Sequence, residues 1–451
     1  MSDISEKGAW KERLINAGTH ELAVENRLWL KSYREQALKG LADAEFPHRK
    51  QERWRYTPTG GLMKNDFSPA HRVAEKPAAE SIQQWFTPGL DAYRLVFING
   101  YCCPGYCEID GLPKGSRIGS LRAAMSTDED VISEHLGTVQ QKTGEMFELL
   151  NQAMMNDGLF IHLEKGVTLE KPLEVIYLSD SSGASVMAQP RGLVALEEGA
   201  SATVIERFVG TEESLYFNNA HTEILLRERA ALQHYRTQEE SQQAFHLSGI
   251  HVTQHESSQY ESGVFSLGSS LARTEINTRF AGEHASTKLN GLYLVGDGQT
   301  NDVHLDVTHN LPNCESEETY KGLLYGKGKA VFDGKILVAK DAQKTEAHLS
   351  NNNLMLTRGA EVDTKPQLEI YADDVKCSHG TTVGQIEEDQ VFYMRSRGIE
   401  EKTARAMLSM GFAGAIVDRV ELEALREDLM SKIQARVNNS LSQASSGAKD
   451  E

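Results

Sequence analysis

From about Gly158 to Gly384, short runs of alternating apolar and polar residues follow one another, with no amphipathic helical run between them. A stretch of that length cannot be layered with helices of its own, so the fold class is mainly β. In Thr274–Phe280 the even positions can face a core and the odd ones water. Val303, Leu305 and Val307 alternate in the same way with His304, Asp306 and Thr308. Turns recur at Gly199-Ala200 and Gly359-Ala360. A large sandwich and a solenoid both satisfy this texture. Tight antiparallel hairpins prefer Asn-Gly or Asp-Gly pairs, and few occur in this stretch, Asp333-Gly334 among them. A parallel β-helix is therefore the favoured reading, with runs that keep no fixed period. Within it, Asn351-Asn352-Asn353 is placed to stack as a side-chain ladder between coils.

Helical character flanks this core. Leu22, Leu28, Leu30, Leu38 and Leu41 fall largely on one helical stripe, and Glu52–Pro58 ends that segment. Tyr93–Asn99 reads as a strand, and residues 121–156 return to helix with Met146, Leu149, Leu150 and Met154 as an apolar set. After Gly384, Glu387–Arg397 begins acidic and ends basic, as the helix dipole favours, and Gly398 can stop it. Helices over Glu400–Met410 and Phe412 to about Asn438 follow, the latter with Leu422, Leu425, Leu429, Ile433 and Val437 on one stripe. That stripe can pack on its own domain or dock a partner. The expected organisation is an N-terminal helical region with a short strand segment (1–157), a β-helix core (158–385), a C-terminal helical region (386–438) and a disordered tail rich in Ser, Ala and charge (439–451).

A net charge of −18 over 451 residues argues against a nucleic-acid partner, which needs a clustered basic surface. No stretch approaches the roughly 20 apolar residues of a spanning helix, so no membrane partner is expected. The opening MSDISEKGAWKERL has no apolar signal-peptide core. Five cysteines are too few and odd in number for a disulfide framework, and a reducing cytoplasm is the natural location.

The chemistry-bearing residues are few. Cys102, Cys103 and Cys107 crowd three thiols into six residues, but adjacent cysteines seldom chelate one ion and no CxxC pair exists elsewhere. They read as small thiols in a turn after the 93–99 strand. Cys377 and His379, in the stretch YADDVKCSHGTTVGQ (Tyr371–Gln385), lie two residues apart and so on one face of a strand. They offer two soft or borderline ligands for iron or zinc, with Asp373 and Asp374 upstream to supplement them. Four ligands make a closed site, so two suggest a half-site completed by another chain or a labile cluster. A buried thiol and a hydrogen-bonded imidazole are the alternative. A Cys-His catalytic dyad would need an orienting group and an oxyanion hole as well. His304, His309 and Cys314 read as surface or satisfied core residues. There is no P-loop, no GxGxxG and no HExxH, so no ATP site is expected in this chain.

Several phrases carry a family resemblance: NCESEETYKGLLYGKGKAVFDGKI from Asn313, KTEAHLSNNNLML from Lys344, PQLEIYADDVKCSHGTTVGQ from Pro366, DQVFYMRSRGIEEKTARAMLSMGFA from Asp389, and ERWRYTP near residue 55. Together they resemble the SufB/SufD family of iron–sulfur cluster assembly proteins over effectively the whole chain. SufB-like chains tend to read C-E-H-E-A after the aspartates and F-Y-C-Q-Q further on. Cys377-Ser378-His379-Gly380 and Phe392-Tyr393-Met394-Arg395-Ser396-Arg397 are in the SufD style.

The resemblance implies a right-handed parallel β-helix between helical ends. It implies a scaffold subunit, not an enzyme, in a SufBCD-type complex that pairs this chain with SufB through the β-helices. SufC, an ABC-type ATPase, would bind each of the two through its C-terminal helices. A transient iron–sulfur cluster would form at the SufB–SufD interface, SufB supplying a cysteine and this chain His379. The resemblance leaves Cys377 open between second ligand and packed thiol. Two other readings compete. A β-helix carbohydrate-active enzyme needs clustered acidic residues on the solenoid face. A stand-alone cluster carrier needs about four ligands in one chain.

Overall fold

The computed structural model describes residues 2–23, 25–72, 78–139, 144–180, 185–211 and 214–447. Its centre is a parallel β-helix in which the chain alternates between two sheets. The odd strands are β1 (Tyr93–Ile98), β3 (Leu173–Ser179), β5 (Ser201–Gly210), β7 (Ala231–Glu239), β9 (Gln259–Ser266), β11 (Ser286–Val295), β13 (Glu315–Leu324), β15 (Glu346–Met355) and β17 (Lys376–Gln385). The even strands are β2 (Leu159–Leu163), β4 (Arg191–Leu196), β6 (Tyr216–Leu226), β8 (Phe245–Gln254), β10 (Leu271–Phe280), β12 (Thr300–His309), β14 (Lys329–Val338) and β16 (Glu361–Ile370). Each odd strand pairs in parallel with the next odd one, and each even strand with the next even one, in a 10-stranded and an 11-stranded sheet.

The coil length explains why no fixed period is readable. Gln259 pairs with Ser286, an offset of 27, whereas Glu315 pairs with Glu346, an offset of 31. Strands stay in register because the turns absorb the difference. Asp333-Gly334 is not a turn at all: it sits inside β14, where a Cβ on Gly334 would meet Leu349 at 2.5 Å.

The lumen is filled by the inward half of each alternating run, Val303, Leu305 and Val307 among them. Like side chains stack from coil to coil. The rings of Phe97, Tyr177 and Phe208 have successive centroid distances of 5.0 and 4.7 Å. Further along, glycine and tyrosine interlock reciprocally: Gly291 pairs with Tyr320, and Tyr293 with Gly322. A Cβ on either glycine would fall 2.0–2.2 Å from the facing ring, so only glycine leaves room. The asparagine run is split by the pleat. Asn351 and Asn353 face the lumen and bond to each other and to the Tyr293 hydroxyl, at 2.6–3.1 Å. Asn352 faces out and accepts from Thr382 at 2.7 Å. The result is a network two coils deep rather than a ladder of identical side chains.

Helices cover the outer faces. α1 (Ser2–Ala23), α2 (Leu28–Asp43), α3 (Leu121–Thr127), α4 (Glu129–His135) and α5 (Met146–Met154) precede the β-helix proper. Trp10, Leu38, Leu41, Trp54 and Phe147 pack onto Phe217, Phe245, Leu247 and Leu271 of the even sheet. The ERWRYTP segment is the clamp. Arg53 bonds Glu275 at 2.7 Å, Trp54 lies 3.9 Å beneath the Arg273 guanidinium, and Thr57 donates to Asp302. β1, although it comes from the N-terminal region, forms part of the odd sheet beside β3.

At the other end stand α6 (Glu388–Ser396), α7 (Glu401–Val417) and α8 (Glu423–Gly447). Gly398, at φ 86°, closes the turn after α6, as its position suggests. Two expectations are corrected. The chain runs through Gly411 without a break, and the helix boundary falls at residues 418–422, where Val420 is buried. The segment expected to be a disordered tail is helical as far as Gly447, with Ser440 and Leu441 buried. The stripe Leu425, Leu429, Ile433 and Val437 packs on Ile205, Phe265, Leu292 and Leu323 of the odd sheet. Its apolar face is thus used within the chain. No helix among the described residues is long and apolar enough to cross a membrane.

Candidate functional site

Cys377 and His379 lie on β17, the last strand of the odd sheet. Their register partners on β15 are Ala347 and Leu349, both buried in the lumen. The two residues therefore continue the inward-facing column, about 7 Å apart along the strand. Thr381 and Val383 extend the same column over Asn351 and Asn353. Each inward side chain in an earlier coil is covered by the next one. Here no further coil follows, so Cys377 is half-buried against the core while His379 is exposed. Burial pushes the Cys377 thiol up from its ordinary range.

Ser378 faces outward and meets His348 Nδ1 at 2.7 Å. Asp373 and Asp374 stand in the turn before β17; Asp374 pairs with Lys344. Five residues of extended chain, about 16 Å, separate Asp374 from His379. Among the described residues, no group of three or more His, Cys, Asp or Glu is arranged to hold a metal ion. The open end thus presents two donors of soft or borderline character, one of them solvent-facing.

Beneath this pair lies polar structure that sequence alone does not reveal. Thr364 on β16 donates to Asn351 at 3.0 Å, tying the last coil of one sheet to the other through the Tyr293–Asn351–Asn353 network. The signal was present in the asparagine run, but only the register tells which two of the three point inward.

The other histidines and cysteines do not join the site. His304 is on the outer face of β12, buried under the N-terminal clamp and bonded to Asp302 at 2.9 Å. His309 is inside the lumen, 3.0 Å from the Ser316 hydroxyl, and burial lowers its pKa to about 3. Cys314 is buried against Gly282, its thiol pushed up to about 11 by burial. Cys102, Cys103 and Cys107 sit at the opposite end of the β-helix, around a one-turn helix at Pro104–Tyr106. All five cysteines are free thiols.

A β-helix with helical regions packed on both of its sheets, and a donor pair where its last coil ends, defines the class that sequence comparison finds. The family model described as the SufBD core domain of the SUF system for FeS cluster assembly matches residues 177–412. That of the SufBD protein N-terminal region matches residues 12–175. The chain belongs to the SufBD family of iron–sulfur cluster assembly proteins. Among its relatives, the iron–sulfur cluster assembly protein SufD of Escherichia coli is 33% identical over 89% of this chain and 92% of its own. An iron–sulfur cluster assembly SufBD family protein of Synechocystis is 32% identical over 95% of this chain and 94% of its own. The chloroplastic protein ABCI7 of Arabidopsis thaliana is 29% identical over 90% and 86%.

Proposed function

We propose that this chain is a non-catalytic scaffold subunit of a SufBCD-type complex, and that it contributes His379 to a nascent iron–sulfur cluster at an interface with a SufB-type partner. The observation that carries this reading is the unfinished last coil. Both sheets end there, at β16 and β17, with inward-facing donors left uncovered. A sheet edge is a template for another strand. A partner that continues the β-helix would cover His379 and supply the ligands that two residues cannot. A neutral imidazole binds iron through one nitrogen and releases it more readily than a thiolate, as cargo requires. Cys377 is the second candidate ligand; its burial against the lumen core also suits a packed thiol. The lone-carrier reading needs about four ligands in one chain, which the open end does not offer.

The energy source in this reading is a SufC-type ATPase bound to the C-terminal helices, acting in the cytoplasm. With the α8 stripe used on the odd sheet, the exposed apolar residues Phe392 (72%), Tyr393 (60%) and Met407 (52%) are the docking candidates. They stand on α6 and α7, which Arg405 joins by an ion pair to Glu388 at 2.9 Å.

The test is reconstitution of this chain with SufB- and SufC-type partners. His379→Ala is expected to leave the complex assembled and to abolish cluster formation from iron and sulfide, read by visible absorption. Unchanged cluster yield on the intact complex would sink the proposal. F392A/Y393A/M407A is expected to lose the ATPase on co-purification while keeping the SufB-type partner. Deleting residues 386–451 is a poorer test, because it bares Ile205, Phe265, Leu292 and Leu323.

A further inference from the structure

The thiols at the opposite end have no part in that reading, yet two of them are placed to react with each other. Tyr101–Cys102 folds back antiparallel on β1, and the chain turns through Pro104–Tyr106 to bring Cys107 alongside. The Sγ atoms of Cys102 and Cys107 are 3.8 Å apart. Cys103, between them, points away toward the Tyr101 carbonyl. The Val96 N–H points at Cys107 Sγ at 3.5 Å, and the Asp157 carboxylate accepts the Cys102 N–H at 3.0 Å, so backbone contacts fix the hairpin. Both cysteines are half-exposed.

Cys102 also lines a cleft of about 640 Å³ between this hairpin and the N-terminal helices. Four arginines, Arg27, Arg34, Arg72 and Arg122, line it against two glutamates, Glu21 and Glu25. Glu25 is already shared between Arg27 and Arg34, at 3.3 and 3.7 Å. Arg72 rests over the Tyr101 ring, and among the described residues neither Arg72 nor Arg122 is held in an ion pair. The cleft therefore presents an excess of positive charge beside Cys102, whose sulfur touches that of Cys107.

We propose that Cys102 and Cys107 form a thiol–disulfide exchange site, and that the arginine-lined cleft admits a small disulfide bearing carboxylates. The chemistry balances without any further reactant. The Cys107 thiolate attacks one sulfur of the small disulfide, forming a mixed disulfide and expelling one thiolate. Cys102 then loses its proton to solvent and attacks Cys107 Sγ, closing the Cys102–Cys107 bond and expelling the second thiolate. Two electrons and two protons leave the protein thiols, and the small disulfide becomes two thiols. With Cys102 as the donor to it, the Cys107 thiol is lowered from its ordinary range, although burial opposes the shift. At 3.8 Å the two sulfurs are in van der Waals contact, and bond formation closes a gap of about 1.8 Å.

The test uses the full-length protein, oxidised glutathione as the carboxylate-bearing disulfide, and 2-hydroxyethyl disulfide as the neutral one. After alkylation and trypsin, all three cysteines fall in one peptide, residues 95–114. The expected result is that Cys102 and Cys107 are bridged and Cys103 is alkylated, with glutathione faster by about tenfold at low salt. R72Q/R122Q is expected to remove that advantage while leaving the neutral reagent unaffected. Full alkylation of all three cysteines after oxidant overturns the exchange site. Bridging at equal rates by both reagents overturns the cleft as the point of entry. In C102S, glutathione is expected to stay on Cys107; finding it on Cys103 instead overturns the assigned order of attack.

Discussion

Glu318 points into the lumen between Leu289 and Leu349, and neither of its carboxyl oxygens makes a hydrogen bond. Burial raises its pKa to about 8, with weak contacts to Ser316 and to its own backbone tempering the effect. Glu206, in the lumen near the other end, shows the contrast. Burial pushes it the same way, but Arg236 and His234, each 2.8 Å away, outweigh burial and hold it down to about 2. For Glu318, the folded chain keeps a proton that the unfolded chain loses above its ordinary value near 4.5. Stability therefore falls as pH rises from that value to about 8, with a slope approaching about 1.4 kcal/mol per unit, and flattens beyond. Glu318→Gln carries no titrating group. Its denaturation midpoint relative to the parent is expected to rise steadily between pH 5 and pH 8; a constant difference would show that Glu318 is charged or satisfied in the fold. At this scale the donor pair was legible, because an i, i+2 spacing fixes a common face whatever the coil. The buried charges were not. Arg191 with Glu223, and Arg273 with Asp302, occupy outward positions that alternation assigns to water, and only the N-terminal clamp and its helices bury them.

Among elements, β17 has a property that its side chains hide. The Lys376 N–H bonds the Thr345 carbonyl at 2.9 Å, so strand alternation sends the N–H groups of 377, 379, 381 and 383 outward from the sheet edge. Val383 is 45% exposed, and its N–H has no role in holding β17 to β15. Val383→Pro is expected to change the thermal midpoint of the isolated chain little and to reduce capture of a SufB-type partner at least tenfold. Retained capture would mean that the edge is not extended by a strand. The strand pattern itself was readable from the sequence, since period two survives irregular coil lengths. Two element boundaries were not. Asp333-Gly334 has the composition of a turn, but the room it makes is for Leu349. Gly411 looked like a helix break, yet nothing in the following turn requires one.

For the molecule as a whole, one short segment stands at the centre of the joint between the N-terminal region and the β-helix. Trp54 is 3% exposed, donates to Glu145 at 2.9 Å, packs 5.6 Å from the Phe147 ring and supports Arg273. Trp54→Ala is expected to cost about 3–5 kcal/mol. Hydrogen exchange should show α2 and α5 losing protection before the lumen strands do; uniform loss would make the two regions one cooperative unit. The resemblance of ERWRYTP to a family segment was visible in the sequence, but its part as a clamp depends on Glu275 and Asp302, more than 200 residues away.

The uneven offsets between paired strands have a consequence for assembly of the fold. In a solenoid of identical repeats, a strand can settle one coil too early and still find a matching neighbour. Here the turns differ in length and several levels of the lumen are matched to one neighbour: a tyrosine needs the glycine opposite it, and Thr364 needs Asn351. A skipped coil would set ring against ring and leave polar groups stranded. Irregularity of this kind works like a key with unequal teeth, admitting one stacking order. It would also ensure that the coil bearing His379 is the one left at the end.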